Sequence, residues 1–236
     1  MHIRFLGHSC FELEEGDTRV LIDPFLSGNP KAAVQPDEVN PTHIFLTHGH
    51  ADHWGDVVEI ARRTDAQCIA IKELADELQG DHGIDNVADP NLGGTVAFDG
   101  GWVRLVPAWH TSTTPGGSVN TPAGLVVNLG GQTVYHLGDT ALFSDLELVG
   151  RRDRIGVALM CIGGHYTMDR HDAAVAAELI GAAQVVPCHY DTFPPIAADA
   201  EAFRSDVEAR TSSRVVLLQP GEPHLATPLE SAGVLG

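Results

Sequence analysis

The chain has 236 residues, 43% hydrophobic and 19% charged, which suits one sizeable ordered core and excludes a disordered chain. Its formal net charge of −18 argues against nucleic acid and anionic membrane surfaces, both of which are met by basic patches. No apolar run approaches the roughly 18 residues of a membrane span, and the opening MHIRFLGHSCFELEEG lacks the parts of a signal peptide. The four cysteines, Cys10, Cys68, Cys161 and Cys188, show no CxxC spacing and read as buried free thiols in a reducing cytoplasm.

Three short strands are predicted at residues 2–6, 10–14 and 18–22, with a turn at Glu15-Gly16-Asp17. VLID ends at Pro24, and a loop rich in Gly, Pro and Asn follows. HIFLT (43–47) reads as a short buried strand. A helix is expected at about residues 55–64, with Val57, Val58, Ile60 and Ala61 as its apolar face. CIAI is the next strand, KELADELQ the next helix, and strands recur near residues 95–98 and 102–108. A Thr/Ser/Gly/Pro loop spans residues 111–123. The pattern then repeats: strands near residues 124–129 and 132–137, GVALMCI, a helix near 172–181, QVVPC, a helix near 198–210, and RVVLLQ. Alternating strands and helices in two comparable halves imply an α/β chain with two β layers and helices outside, as one domain over residues 1–236.

Chemistry concentrates in FLTHGHADHWGD, residues 45–56. A run of the form H-x-H-x-D-H is expected by chance only about 0.003 times in this composition. Imidazoles and a carboxylate suit zinc or manganese, with nickel and iron as alternatives, and need no thiolate. His48 and His50 alternate along an extended segment and so project to one side, whereas Asp52 and His53 lie where the chain turns into a helix. One loop could therefore serve two adjacent ions. Further ligands stand at the ends of predicted strands: His110 in VRLVPAWH, Asp139 in TVYHLGDT and His189 in QVVPCHY. Two close divalent ions would lower the pKa of a water toward about 7 and take up developing negative charge. Asp52 is also a candidate to orient the nucleophile and pass a proton to the leaving group.

THGHADH, His110, GDT and CHY, in this order, resemble the metallo-β-lactamase superfamily. GHSCF, LIDPFLSGNP, PAWHTS, YHLGDTALF and CHYDTFP resemble its small bacterial metal-dependent hydrolases related to ascorbate-6-phosphate lactonase. The resemblance spans nearly the whole chain. It implies a four-layer αββα sandwich and two divalent metal ions. It puts His48, His50 and His110 on one ion, Asp52, His53 and His189 on the other, and Asp139 between them. It further implies hydrolysis of an ester, lactone or phosphodiester on a small-molecule substrate. An iron-dependent redox enzyme of the same fold and a non-catalytic metal-binding protein are the alternatives.

Three more residues have a functional and a plain reading. Asp23 is either the carboxylate that orients a metal-bound histidine or an Asp-Pro turn. His8 in GHS and His165 in CIGGHYTMD each follow a strand, and each is either a catalytic residue acting on substrate or proton, or a loop histidine. Strand alternation sends His136 away from Asp139, into the core or behind the site. Metal identity, substrate and any homo-oligomer stay open at this level.

Overall fold

The computed structural model describes residues 1–226. Two seven-stranded mixed sheets face each other. The strands of the first half are β1 (His2–Gly7), β2 (Cys10–Glu15), β3 (Thr18–Ile22), β4 (His43–Phe45), β5 (Gln67–Ile69) and β6 (Val87–Ala88). Those of the second half are β7 (Thr95–Phe98), β8 (Gly101–Pro107), β9 (Ala123–Leu129), β10 (Gln132–His136), β11 (Val157–Cys161), β12 (Gln184–Cys188) and β13 (Arg214–Val215). Among the described residues the last strand, β14 (Pro223–Leu225), crosses back to pair with β1, so the sheet orders are β14-β1-β2-β3-β4-β5-β6 and β13-β12-β11-β10-β9-β8-β7. Each sheet joins an antiparallel meander to parallel strands, the change coming at β3–β4 and at β10–β11. Beyond β4, which is reached by a long loop, the parallel strands are reached through crossover helices.

Residue alternation explains the layering. In β12, Val186 and Cys188 face the core shared by the two sheets, whereas Val185 faces a second core under the outer helices. In β10, Val134 and Tyr135 divide the same way. Strands buried on both faces read as continuous apolar runs, which is why QVVPC and VALMC look uniform in sequence. On the first half, α2 (Val57–Thr64) buries Val57, Ile60 and Ala61, and α3 (Lys72–Gly80) buries Leu74, Ala75 and Leu78. On the second, α4 (Leu146–Arg152), α5 (Arg170–Ile180) and α6 (Ala200–Arg210) cover the other sheet. The Asp169 side chain accepts from the backbone N–H groups of His171 and Asp172, capping α5, and Gly181 ends it in the left-handed region. The result is the expected αββα sandwich.

The elements depart from the sequence expectation in a few places. The helix expected from residue 55 is split: a single turn, α1 (Ala51–Trp54), precedes Gly55, and α2 begins at Val57. Gly55 has φ 44°, and a Cβ there would lie 2.3 Å from the Pro24 carbonyl oxygen, so the chain must break at this glycine. The last predicted strand shortens to Arg214–Val215, and β6, α4 and β14 were not expected.

Candidate metal centre

The candidate residues gather where strands end, along one edge of the sandwich. Asp23 follows β3, the His48–His53 run follows β4, His110 follows β8, Asp139 follows β10 and His189 follows β12. In open α/β sheets, the carboxyl ends of parallel strands are where loops gather a site.

Among the described residues, three donor groups form. Ligand atoms of His48, His50 and His110 lie within 4.8 Å of one another, as do those of His8, Asp52, His53 and His189, and those of His48, His53 and Asp139. Asp139 stands between the first two groups. Its Oδ1 is 3.3 Å from His53 Nε2, and its Oδ2 is 3.1 Å from His189 Nε2 and 3.6 Å from His110 Nε2.

Asp23 and Thr47 set the tautomers. The Thr47 hydroxyl donates to Asp23 Oδ2 (2.6 Å), and the Thr47 N–H to Asp23 Oδ1 (2.8 Å). With its one proton so used, the hydroxyl oxygen accepts from His48 Nδ1–H at 3.0 Å. Asp23 Oδ2 also accepts from His53 Nδ1–H at 2.7 Å. Both imidazoles are thereby left with Nε2 directed to the cluster, the arrangement a carboxylate behind a metal-binding histidine produces. Asp23 is fully buried at φ 47°, so its place is a specific one rather than an ordinary Asp-Pro turn.

The electrostatics are those of a site built around positive charge. Burial pushes the Asp139 carboxyl up, but His189 and His53 outweigh it and hold it well below the carboxylate range. Burial opposes a charge on His53, yet Asp139 and Asp23 hold it well above the usual imidazole value. His189 is pushed up to about 9, Asp139 again outweighing burial. Burial takes His48 the other way, well below its ordinary value. Among the described residues, His53 Nε2, Asp139 Oδ1 and both ring nitrogens of His189 are buried with no hydrogen-bond partner. Buried polar atoms are rarely left so, and divalent cations among them would take His53 Nε2, Asp139 Oδ1 and one ring nitrogen of His189. The nitrogen and oxygen donor set fits zinc, manganese, nickel or iron.

His8 is buried at φ 59°, in the turn between β1 and β2. Its carbonyl accepts the His189 N–H at 2.7 Å, tying the two halves together. Its Nε2 lies 3.0 Å from Asp52 Oδ2 and its Nδ1 2.8 Å from Thr192 Oγ1. Burial lowers its pKa to about 4 against the opposing bond to Asp52, so the ring is neutral at pH 7. A neutral ring that donates Nε2–H to Asp52 must accept from Thr192 through Nδ1. Asp52 is held well below the carboxylate range because His189 and His8 outweigh the effect of burial.

The loop of His165 places its neighbour beside the cluster. Gly164 (φ 64°) and His165 (φ 53°) are successive left-handed residues, and Tyr166 after them lines the site cavity. The His165 ring packs edge-on against Tyr166. His136 is fully buried behind the site. It donates Nε2–H to the Ser9 carbonyl and accepts the Gly138 N–H at Nδ1.

Sequence reasoning missed several supporting residues. The Ser112 hydroxyl accepts the Gly49 N–H at 2.8 Å and donates to Asn120 Oδ1 at 2.5 Å, so the loop of residues 111–123 braces the histidine run. The Thr140 hydroxyl accepts the Trp109 N–H at 3.0 Å and holds the His110 segment beside Asp139. Thr47 and Thr140 adjoin ligand candidates, which was a readable signal; Asn120 and Phe193 carried none. A cavity of about 450 Å³ opens over the cluster, with Tyr166, Phe193 and Ile196 among its walls.

Known proteins resemble this chain over most of its length. The beta-lactamase superfamily domain model matches residues 2–189. The UPF0173 metal-dependent hydrolase MK1542 of Methanopyrus kandleri is 47% identical over 229 residues, covering 95% of this chain and 99% of that one. The UPF0173 metal-dependent hydrolase TTHA1283 of Thermus thermophilus is 48% identical over 204 residues, covering 86% and 89%. Among solved structures, Igni18, a metallo hydrolase from Ignicoccus hospitalis, superposes with a TM-score of 0.87 at 35% identity, covering 94% of this chain and 97% of that one. The chain belongs to the beta-lactamase superfamily and is a metal-dependent hydrolase of the metallo-β-lactamase fold.

Proposed function

We propose that the protein hydrolyses an ester, lactone or phosphodiester bond of a small molecule at a two-metal centre. His48, His50 and His110 would hold one ion, Asp52, His53 and His189 the other, and Asp139 both. The observation that carries this reading is the position of Asp139, within 3.6 Å of His110 on one side and of His53 and His189 on the other, among buried nitrogens with no other partner. Divalent ions bound there would acidify a water and polarise the oxygen of the bond under attack.

The chain's own groups do the rest. Asp23 and Thr47 fix the rings of His48 and His53. The Asp52 side chain is one-third exposed and lines the cavity. Held ionised, it accepts a hydrogen bond from the attacking water and relays the proton toward the leaving oxygen. His8 holds the Asp52 carboxylate from behind, and Thr192 holds His8.

Asp139→Ala tests the arrangement. It is expected to lower turnover by about 100-fold or more and bound metal by at least one ion per chain. Unchanged turnover and metal content would remove the bridging assignment.

A further inference from the structure

Hydrolysis builds negative charge on the oxygen of the bond under attack, and hydrogen-bond donors already in place there lower the barrier. The side chains of the cavity offer few. Its imidazoles and carboxylates are the ligand candidates, and Ala51, Phe193 and Ile196 carry no polar side-chain atom. That leaves the hydroxyls of Thr111 and Tyr166. Thr111 carries its hydroxyl on Cβ, close to its own backbone, whereas Tyr166 carries one at the end of a rigid ring.

The loop that holds Tyr166 is tied to the segments of two ligand candidates. A Cβ on Gly163 would lie 2.2 Å from the His189 carbonyl oxygen, so the chain runs against the His189 backbone where only glycine fits. On the other side, the Met168 N–H donates to the carbonyl of Thr140, the residue after Asp139 (3.1 Å). The Gly164 N–H closes the loop on the Met168 carbonyl (2.9 Å). Between these ties Gly164 (φ 64°) and His165 (φ 53°) are both left-handed. For a histidine that conformation is strained and persists only where the surroundings impose it, and such residues cluster at functional sites. The Tyr166 N–H donates to the Gly164 carbonyl (2.6 Å), and the His165 ring packs edge-on against the phenol ring, centroids 4.4 Å apart. The ring is thus held, yet Tyr166 is 57% exposed and lines the same cavity as Asp52 and Asp139. Among the described residues, its hydroxyl has no hydrogen-bond partner.

We propose that Tyr166 is a catalytic residue, whose phenol O–H donates a hydrogen bond to the substrate oxygen that gains negative charge during attack. The proposal rests on the hydrolytic reading of this site and holds for a carbonyl and a phosphoryl oxygen alike. A hydrogen bond that tightens as charge grows lowers the barrier more than it tightens ground-state binding, so its loss falls on kcat rather than KM.

The test pairs Tyr166→Phe with Thr111→Val on metal-loaded protein, with p-nitrophenyl acetate and bis(p-nitrophenyl) phosphate as probes. Phe keeps the ring, and with it any part the side chain plays in packing. Tyr166→Phe is expected to lower kcat about 10- to 100-fold on whichever probe turns over, with KM within about threefold and metal content unchanged. Thr111→Val is expected to stay within about twofold of wild type. An unchanged kcat in Tyr166→Phe, a loss that follows loss of metal, or a loss in Thr111→Val instead would overturn the proposal and leave a hydrolase. Binding of phenylphosphonate, whose tetrahedral oxyanion resists hydrolysis, is measured by calorimetry in the same proteins. Its Kd is expected to rise about tenfold in Tyr166→Phe. If neither probe turns over, that rise supports the contact and counts against hydrolysis of these bonds alone. An equal Kd in the two proteins, or no binding to wild type, overturns the contact.

Discussion

At the scale of single residues, one carboxylate carries more of the site than its position in the sequence suggests. Asp23 lies 25 residues before His48, yet it orders the rings of both His48 and His53 through three hydrogen bonds. Asp23→Ala is expected to weaken metal binding by about 10- to 100-fold, measured by competition with a chromogenic chelator. Unchanged affinity would mean that the tautomers are set elsewhere. His8 offers a contrast. It touches Asp52 and Thr192, so His8→Ala is expected to lower turnover by about tenfold or more while leaving most of the metal bound. The sign with pH follows from its lowered pKa: with a value of about 4, His8 is neutral at both pH 6 and pH 8. The ratio of wild-type to His8→Ala turnover should be the same at those two values, and a ratio that changes between them would show His8 titrating there. His165→Ala should leave turnover within about twofold, because Tyr166 takes the wall position.

At the scale of elements, the strand-end loops place the ligands, and glycines let them pack. Gly49 sits between two of the histidines, and a Cβ there would come within 2.7 Å of Asn120 Nδ2 and 2.8 Å of Thr114 Cγ2. Gly49→Ala should cost about 1–3 kcal/mol by forcing the loop of residues 111–123 away, and should lower metal content, read by thermal unfolding and elemental analysis. Asp169→Ala, at the cap of α5, should cost about 1 kcal/mol in stability and leave metal content unchanged. The two together separate site packing from general stability. Much of this was legible beforehand. Three strands of the first meander and the helices α5 and α6 on the second sheet follow directly from alternation and apolar periodicity. The ligand run was readable because its spacing is improbable by chance. What was not legible lacks a local signal. The two-residue β6 is too short to show a period, and β14 contains a proline and exists through its pairing with β1. The break at Gly55 is dictated by the distant Pro24 carbonyl, and the Phe193 wall by the fold of the chain after His189.

At the scale of the molecule, the two halves meet at the cluster. The His8 carbonyl accepts the His189 N–H, and Asp139 from the second sheet faces His53 from the first, so neither half holds the site alone. Metal should therefore stabilise the whole sandwich: a ligand that binds only the folded state at 100 times its dissociation constant adds about 2.7 kcal/mol. Stripping the protein with a chelator should lower Tm, and re-adding zinc or manganese should restore it; a Tm indifferent to metal would place the ions outside the folded cluster. The central claim is that one chain holds two adjacent ions between these halves. The measurement that tests it most directly is elemental analysis of untagged protein purified without chelators, paired with the same analysis of Asp139→Ala. The account predicts two divalent ions per chain in the first and fewer in the second. One ion or none in the wild-type protein after anaerobic reconstitution, or an unchanged count in the variant, would contradict it.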